Sequence, residues 1–114
     1  VAAYIQLGGI YYDTQNFEKE ISILEKALRL SPNNPEINFA IGMAYEDIGE
    51  FDLSITSYER VLKLRPKDQD ALFEMCLLNI ITGNKEKALK QIPNLRKLNS
   101  GIAKEIEILI YKSK

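Results

Sequence analysis

Ala27-Leu28-Arg29-Leu30-Ser31-Pro32 returns 34 residues later as Val61-Leu62-Lys63-Leu64-Arg65-Pro66. At the same offset Leu7-Gly8-x-x-Tyr11 returns as Ile41-Gly42-x-x-Tyr45, and Asn16-Phe17 as Glu50-Phe51. A third, looser copy sets Met75-Cys76 at the Leu-Gly place, Ala88 opposite Ser54, and Leu95 and Leu98 opposite Val61 and Leu64. A fixed period between about 20 and 50 residues marks stacked repeats, each unable to bury its apolar face alone. Such arrays generally act as extended surfaces that hold other molecules.

Within a repeat the apolar spacing is helical twice over. Tyr4, Leu7, Gly8 and Tyr11 share one face, and Ile21, Leu24, Ala27 and Leu28 share another. Asp13-Thr14-Gln15-Asn16 between them is too polar to bury, and Asn16 suits an N-cap. Gly49 and Gly83 mark the equivalent turns, with Asn84 as the following cap. Pro32 and Pro66 end the second helices. Asn34-Pro35 reads as N-cap and first helical residue, and Asp68 as the next cap. The pattern predicts helices at 2–14, 17–30, 35–48, 51–64, 69–82 and 85–98. After Asn99-Ser100-Gly101 a seventh helix, about 102–112, carries the stripe Ile102, Ile106, Leu109 and Ile110, a capping arrangement for a solenoid end. Pro93 predicts a kink or break near Gln91-Ile92, which either ends the array or re-aims the last helix. The expected fold is all-α: one domain over residues 1–114, with repeats at 1–34, 35–68 and 69–102.

Composition narrows the function. The chain has 114 residues, 46% apolar and 27% charged, and its apolar runs are too short to span a membrane. Cys76 is the only cysteine, so no internal disulfide forms, which fits a reducing, cytoplasmic compartment without establishing one. Histidine is absent, and with it the commonest general base and zinc ligand. No Gly-rich phosphate loop is present, and carboxylate pairs such as Glu46-Asp47 fall on open surface. The expectation is no enzyme, no metal and no cofactor. Residues 1–84 carry 7 Lys+Arg against 13 Asp+Glu, net −6; residues 85–114 carry 8 against 3, net +5. An acidic body argues against nucleic acid, and the basic end offers no aromatic platform except Tyr111. Val1-Ala2-Ala3 opens directly into repeat sequence with no signal peptide in view, which reads as an excised part of a longer protein.

These residues resemble the tetratricopeptide repeat: aromatic-x-x-Leu-Gly-x-x-Tyr, then a small residue, an aromatic, a second small residue and a proline. Tyr4, Leu7, Gly8, Tyr11, Phe17, Ala27 and Pro32 fall in register. So do Ile41, Gly42, Tyr45, Phe51, Ser54, Tyr58, Val61 and Pro66. The third repeat is degenerate, with Asn79 for the tyrosine and Ser100 for the proline. Glu20 stands where the family has alanine; it sits either at an open end or beside a base such as Lys19. Gly8, Gly42 and Cys76 lie where paired helices must approach closely, which makes Cys76 a core filler. Ile110 at the small-residue place of a fourth repeat would block a further helix, so the array is expected to end here.

The resemblance implies a superhelix whose first helices line a concave groove for a peptide or partner segment. Carried over by position, the groove offers Ile5, Tyr12 and Asp13 from repeat one. Repeat two offers Phe39, Met43, Glu46 and Asp47, and repeat three Asp70, Phe73, Glu74 and Leu77. The family's carboxylate clamp for acidic chaperone tails is missing: Ile5, Gly9, Met43, Asp70 and Glu74 occupy its places. An apolar floor with acidic rims instead suits an apolar segment bearing Lys or Arg. The bland alternative is that Phe39, Phe73 and Leu77 merely pack between neighbouring helices. The rival function is self-assembly, through the repeat ends or through Ile108 and Tyr111, which would make a homo-oligomer.

Overall fold

The computed structural model describes residues 16–112. Helices α1 (Phe17–Leu30), α2 (Pro35–Asp47), α3 (Phe51–Leu64), α4 (Gln69–Ile81), α5 (Lys85–Leu98) and α6 (Ser100–Lys112) follow one another, and among the described residues there is no strand. Each helix packs on the next in sequence, and α6 also touches α4. The helix predicted at 2–14 lies outside the described residues.

The predicted punctuation works as local chemistry. Asn16 Oδ1 accepts from Lys19 N–H at 3.4 Å, and Asn34 Oδ1 from Glu36 and Ile37 N–H at 2.9 and 3.2 Å. Asp68 Oδ1 accepts from Ala71 N–H at 3.0 Å. Each side chain satisfies a donor that the first helical turn leaves open. Gly49 and Gly83 adopt φ of 80° and 83°, the left-handed region that glycine enters without a Cβ penalty. There the chain closes back through Glu50 N–H to Tyr45 O at 2.9 Å and Asn84 N–H to Asn79 O at 2.7 Å. Asn84 makes no side-chain cap bond; its Nδ2 donates to Thr82 Oγ1 instead.

Two expectations are corrected. The last helix begins at Ser100, two residues early, because Asn99 Oδ1 accepts from Ile102 N–H at 3.0 Å and caps it. Helix α5 runs unbroken through Pro93. Pro93 and Leu89 both face solvent, so water can take the carbonyl that loses its partner.

The core forms three clusters along the stack. Leu24, Ile41 and Ala44 join α1 to α2; Tyr58, Val61, Ala71 and Met75 join α3 to α4; Leu72, Leu95, Ile106 and Ile110 join the last three helices. Gly42 shows why one position must stay small: a Cβ there would lie 3.0–3.2 Å from the Tyr58 ring. The contact is tight enough for Ser54 Oγ to donate to Gly42 O at 2.6 Å. Cys76 is fully buried, 3.4 Å from Gln91 Oε1, and burial pushes its thiol up to about 11. That leaves it protonated and inert, as a core filler should be.

Candidate functional site

The candidate surface is formed by the first helices of successive repeats, α2 and α4. Glu46, in the last turn of α2, and Glu74, in the N-terminal half of α4, lie close enough for the Glu46 charge to act on the Glu74 carboxyl. Tyr58, fully buried on α3, donates its hydroxyl to Glu46 Oε1 at 3.3 Å. The same ring packs edge-on against Phe39, with centroids 5.2 Å apart. Tyr58 thus ties the apolar floor to the acidic rim.

The sequence-predicted residues divide by environment. Met43 is the most open apolar one, at 41% exposure. Phe39 is half-buried against the cluster of Tyr58, Ala71 and Met75, while Phe73 and Leu77 are half-buried against that of Leu72, Cys76 and Ile106. These three therefore both pack the array and show an edge. Asp47 and Asp70 are exposed; Glu46 and Glu74 are half-buried. Ile5, Tyr12 and Asp13 lie outside the described residues.

The electrostatics are one-sided. Burial, then the Glu46 charge and hydrogen bond, then Asp70, push Glu74 up to about 7. On α1, burial and then Asp47 push Glu20 up to about 7. Glu20 is only 4% exposed, and its Oε2 has no hydrogen-bond partner among the described residues. Among the described residues the charge that acts on Glu20 is that of an acid, Asp47. Salt bridges join Arg65 to Glu36 and Arg96 to Glu107.

Sequence reasoning missed two features. Asn38 is fully buried and donates to Pro32 O and Asn34 O at 3.2 and 2.9 Å, locking the inter-repeat turn onto α2. A polar residue on an otherwise apolar helix face, six residues after a proline, was its only signal. A cleft of about 590 Å³ also opens between the second helices α1 and α3, lined by Glu25, Leu28, Arg29, Arg60, Lys63 and Leu64. Its basic residues are 31 or more positions apart between the two helices, so only the stacking reveals them. Its one acid, Glu25, accepts from the Tyr45 hydroxyl at 3.3 Å.

Among the described residues no group of three or more Cys, His, Asp or Glu is arranged to hold a metal ion, and no helix is long and apolar enough to cross a membrane. Comparison with known families decides the class. A TPR repeat model matches residues 8–49 and a tetratricopeptide repeat model residues 35–68, together more than half of the chain. The chain belongs to the tetratricopeptide repeat family. Members are typically non-enzymatic modules that scaffold protein interactions. No curated protein matches the chain significantly. Among solved structures, MamA AMB-1 shares 26% identity over 86% of this chain and 54% of its own, with a TM-score of 0.77. The chain thus spans about half the length of MamA. A tetratricopeptide repeat protein from Parabacteroides merdae superposes with a TM-score of 0.92 at 22% identity, covering 98% of this chain and 44% of that one. The Yersinia enterocolitica type III secretion chaperone SycD, in complex with a peptide of the translocator YopD, gives 0.85 at 14% identity, covering 98% of this chain and 90% of its own. The last two show the fold alone.

Proposed function

We propose that this tetratricopeptide domain is an adaptor whose concave face holds a partner segment with apolar anchors flanked by Lys or Arg. One observation carries the reading. Exposed Met43 and the edges of Phe73 and Leu77 share α2 and α4 with Glu46, Asp70 and Glu74, acids whose charges act on one another. Apolar floors give such grooves affinity, and charged rims choose the partner. Met43 adapts to differently shaped anchors. SycD, seen with a YopD peptide, is an example of a peptide complex in this fold. Acidic tails of the chaperone type are excluded by repulsion from Asp70 and Glu74, which stand at clamp positions.

The test is a titration of the whole chain with an amphipathic Leu/Lys peptide and with its Leu/Glu counterpart. The basic peptide is expected to bind, the acidic one not to, and Met43→Lys to weaken binding by at least about tenfold. Met43 is exposed, so the substitution tests the surface and not the core. Equal binding of both peptides would refute the proposal.

A second reading, self-assembly, draws on the basic cleft of Arg29, Arg60 and Lys63, which complements the acidic face of another copy. It is joined by the exposed apolar end of the stack at Leu89, Ile108 and Tyr111. Light scattering across concentration and salt separates the two readings: a salt-sensitive mass that climbs with concentration supports assembly, and a constant mass near 13.0 kDa supports the adaptor.

A further inference from the structure

Tyr58 reaches from α3 along the face of α2. Its ring meets Phe39 edge-on at 5.2 Å, lies where a Cβ on Gly42 would come within 3.0–3.2 Å of it, and ends in a hydroxyl that donates to Glu46 Oε1 at 3.3 Å. Phe39, Gly42 and Glu46 follow one another at steps of three and four residues, a single stripe of α2. The ring is fully buried and held at both ends of that stripe, so its hydroxyl has a fixed place. Burial, and then the Glu46 charge, push the hydroxyl above the usual tyrosine range, so it stays a donor at physiological pH.

A second observation comes from the repeat. The residues 34 positions to either side of Tyr58 are Leu24 and Ile92, both buried and both apolar. The neighbouring repeats thus fill this place without a hydroxyl. At the Glu46 place the same offset gives Tyr12 and Ile80, neither of them an acid. The hydroxyl and its acceptor occur together in the middle repeat alone. A buried hydroxyl carries a desolvation cost that its hydrogen bond roughly offsets and that an apolar side chain avoids. Packing is served by the ring; the oxygen acts on Glu46.

We propose that Tyr58 is a positioning residue for partner selection: by holding Glu46 Oε1 it fixes that carboxylate one turn from Met43 and leaves the other oxygen to receive a Lys or Arg of the bound segment, an inference that rests on the concave-face reading above. A glutamate on an open helix turn samples several rotamers, and a partner must order it on binding. Tyr58 orders it within the fold, so the partner's cation meets an acceptor already in place. Exposed Met43, three residues before Glu46, supplies the apolar contact beside it. The feature selected is a basic side chain next to an apolar anchor.

The experiment titrates wild type, Tyr58→Phe and Glu46→Ala, each as the whole chain, with the amphipathic Leu/Lys peptide and a Leu/Gln counterpart. Tyr58→Phe keeps the ring and its contacts with Phe39 and Gly42. Wild type is expected to prefer the Lys peptide by at least about tenfold, and Tyr58→Phe to cut that preference to about threefold or less while binding the Gln peptide as wild type does. Glu46→Ala is expected to cut it at least as far, with no further change when Tyr58→Phe is added to it. No preference in wild type, an unchanged preference in Tyr58→Phe, or an equal loss for both peptides overturns the positioning role and leaves the groove standing. The second readout needs no ligand. Three-bond couplings of the Glu46 side chain in the isotope-labelled chain are expected to report one rotamer in wild type and averaging in Tyr58→Phe. If wild type binds neither peptide, the groove reading fails, and the couplings decide whether Tyr58 fixes Glu46: averaging in wild type overturns it.

Discussion

Glu74→Gln is expected to stabilise this protein at pH 8 and to leave it nearly unchanged at pH 4. Glu74 sits against Glu46 with Asp70 nearby, and its carboxyl is raised from 4.5 to about 7. The folded state therefore holds a proton that the unfolded state releases. Stability from this group is fully present below about 4.5 and is lost as pH rises through about 7. At about 1.4 kcal/mol per pH unit the full shift would correspond to roughly 3 kcal/mol. Glu74 is half-buried and shares its proton with Glu46, so solvent screening and coupling reduce this to about 1–2 kcal/mol. Gln keeps the size and removes the charge. For a domain of this size that corresponds to a Tm rise of about 4–8 °C at pH 8. The assay is thermal unfolding by circular dichroism at low salt, at unit steps from pH 4 to pH 8. Wild type is expected to lose stability across pH 5 to 7. The variant retains the part of that slope that Glu20 and Asp47, both raised by burial, contribute in the same direction. Parallel pH slopes, or a variant less stable than wild type at pH 8, would show that the acids are not in conflict.

Three further outcomes test the packing. Gly42→Ala places a methyl 3.0–3.2 Å from the Tyr58 ring, which is fully buried and held against Phe39. Overpacking by about 1–3 kcal/mol outweighs the roughly 1 kcal/mol that alanine gains in helix propensity, so the urea midpoint is expected to fall; a rise refutes the close approach. Pro93→Ala restores a hydrogen bond to the Leu89 carbonyl on the exposed side of α5 and is expected to add about 1–3 kcal/mol, where a loss would mean that the proline packs productively. Cys76, buried and protonated, is expected to react with a thiol reagent only at the rate of unfolding; fast labelling of the native chain contradicts its core position.

The fold was legible because its determinants are local and repeated. Asn34-Pro35, Asp68, Gly49 and Gly83 each act within four residues, so their chemistry can be read from the string. Most helix ends accordingly fall within a residue of expectation. Pro93 does not break α5, because a proline's effect depends on which side of the helix it faces, and exposure is a tertiary property. The first residues of the last helix were assigned to the turn because Ser100-Gly101 looks like a breaker until Asn99 is seen capping Ile102. At the candidate site, register alone placed Phe39, Met43, Glu46 and Glu74 on the first helices. Their coupling was not legible: that the Glu46 charge acts on Glu74 and the Asp47 charge on Glu20 depends on how the repeats stack. The basic cleft between α1 and α3 was hidden for the same reason.

The most direct test of the central claim is to map where an apolar–basic peptide binds. Backbone amide shifts of the labelled chain, recorded during titration with the Leu/Lys peptide, are expected to move along α2 and α4 around Met43, Glu46, Glu74 and Leu77. Shifts confined to Arg29, Arg60 and Lys63 between α1 and α3, or none at saturating peptide, would contradict a concave acidic binding face.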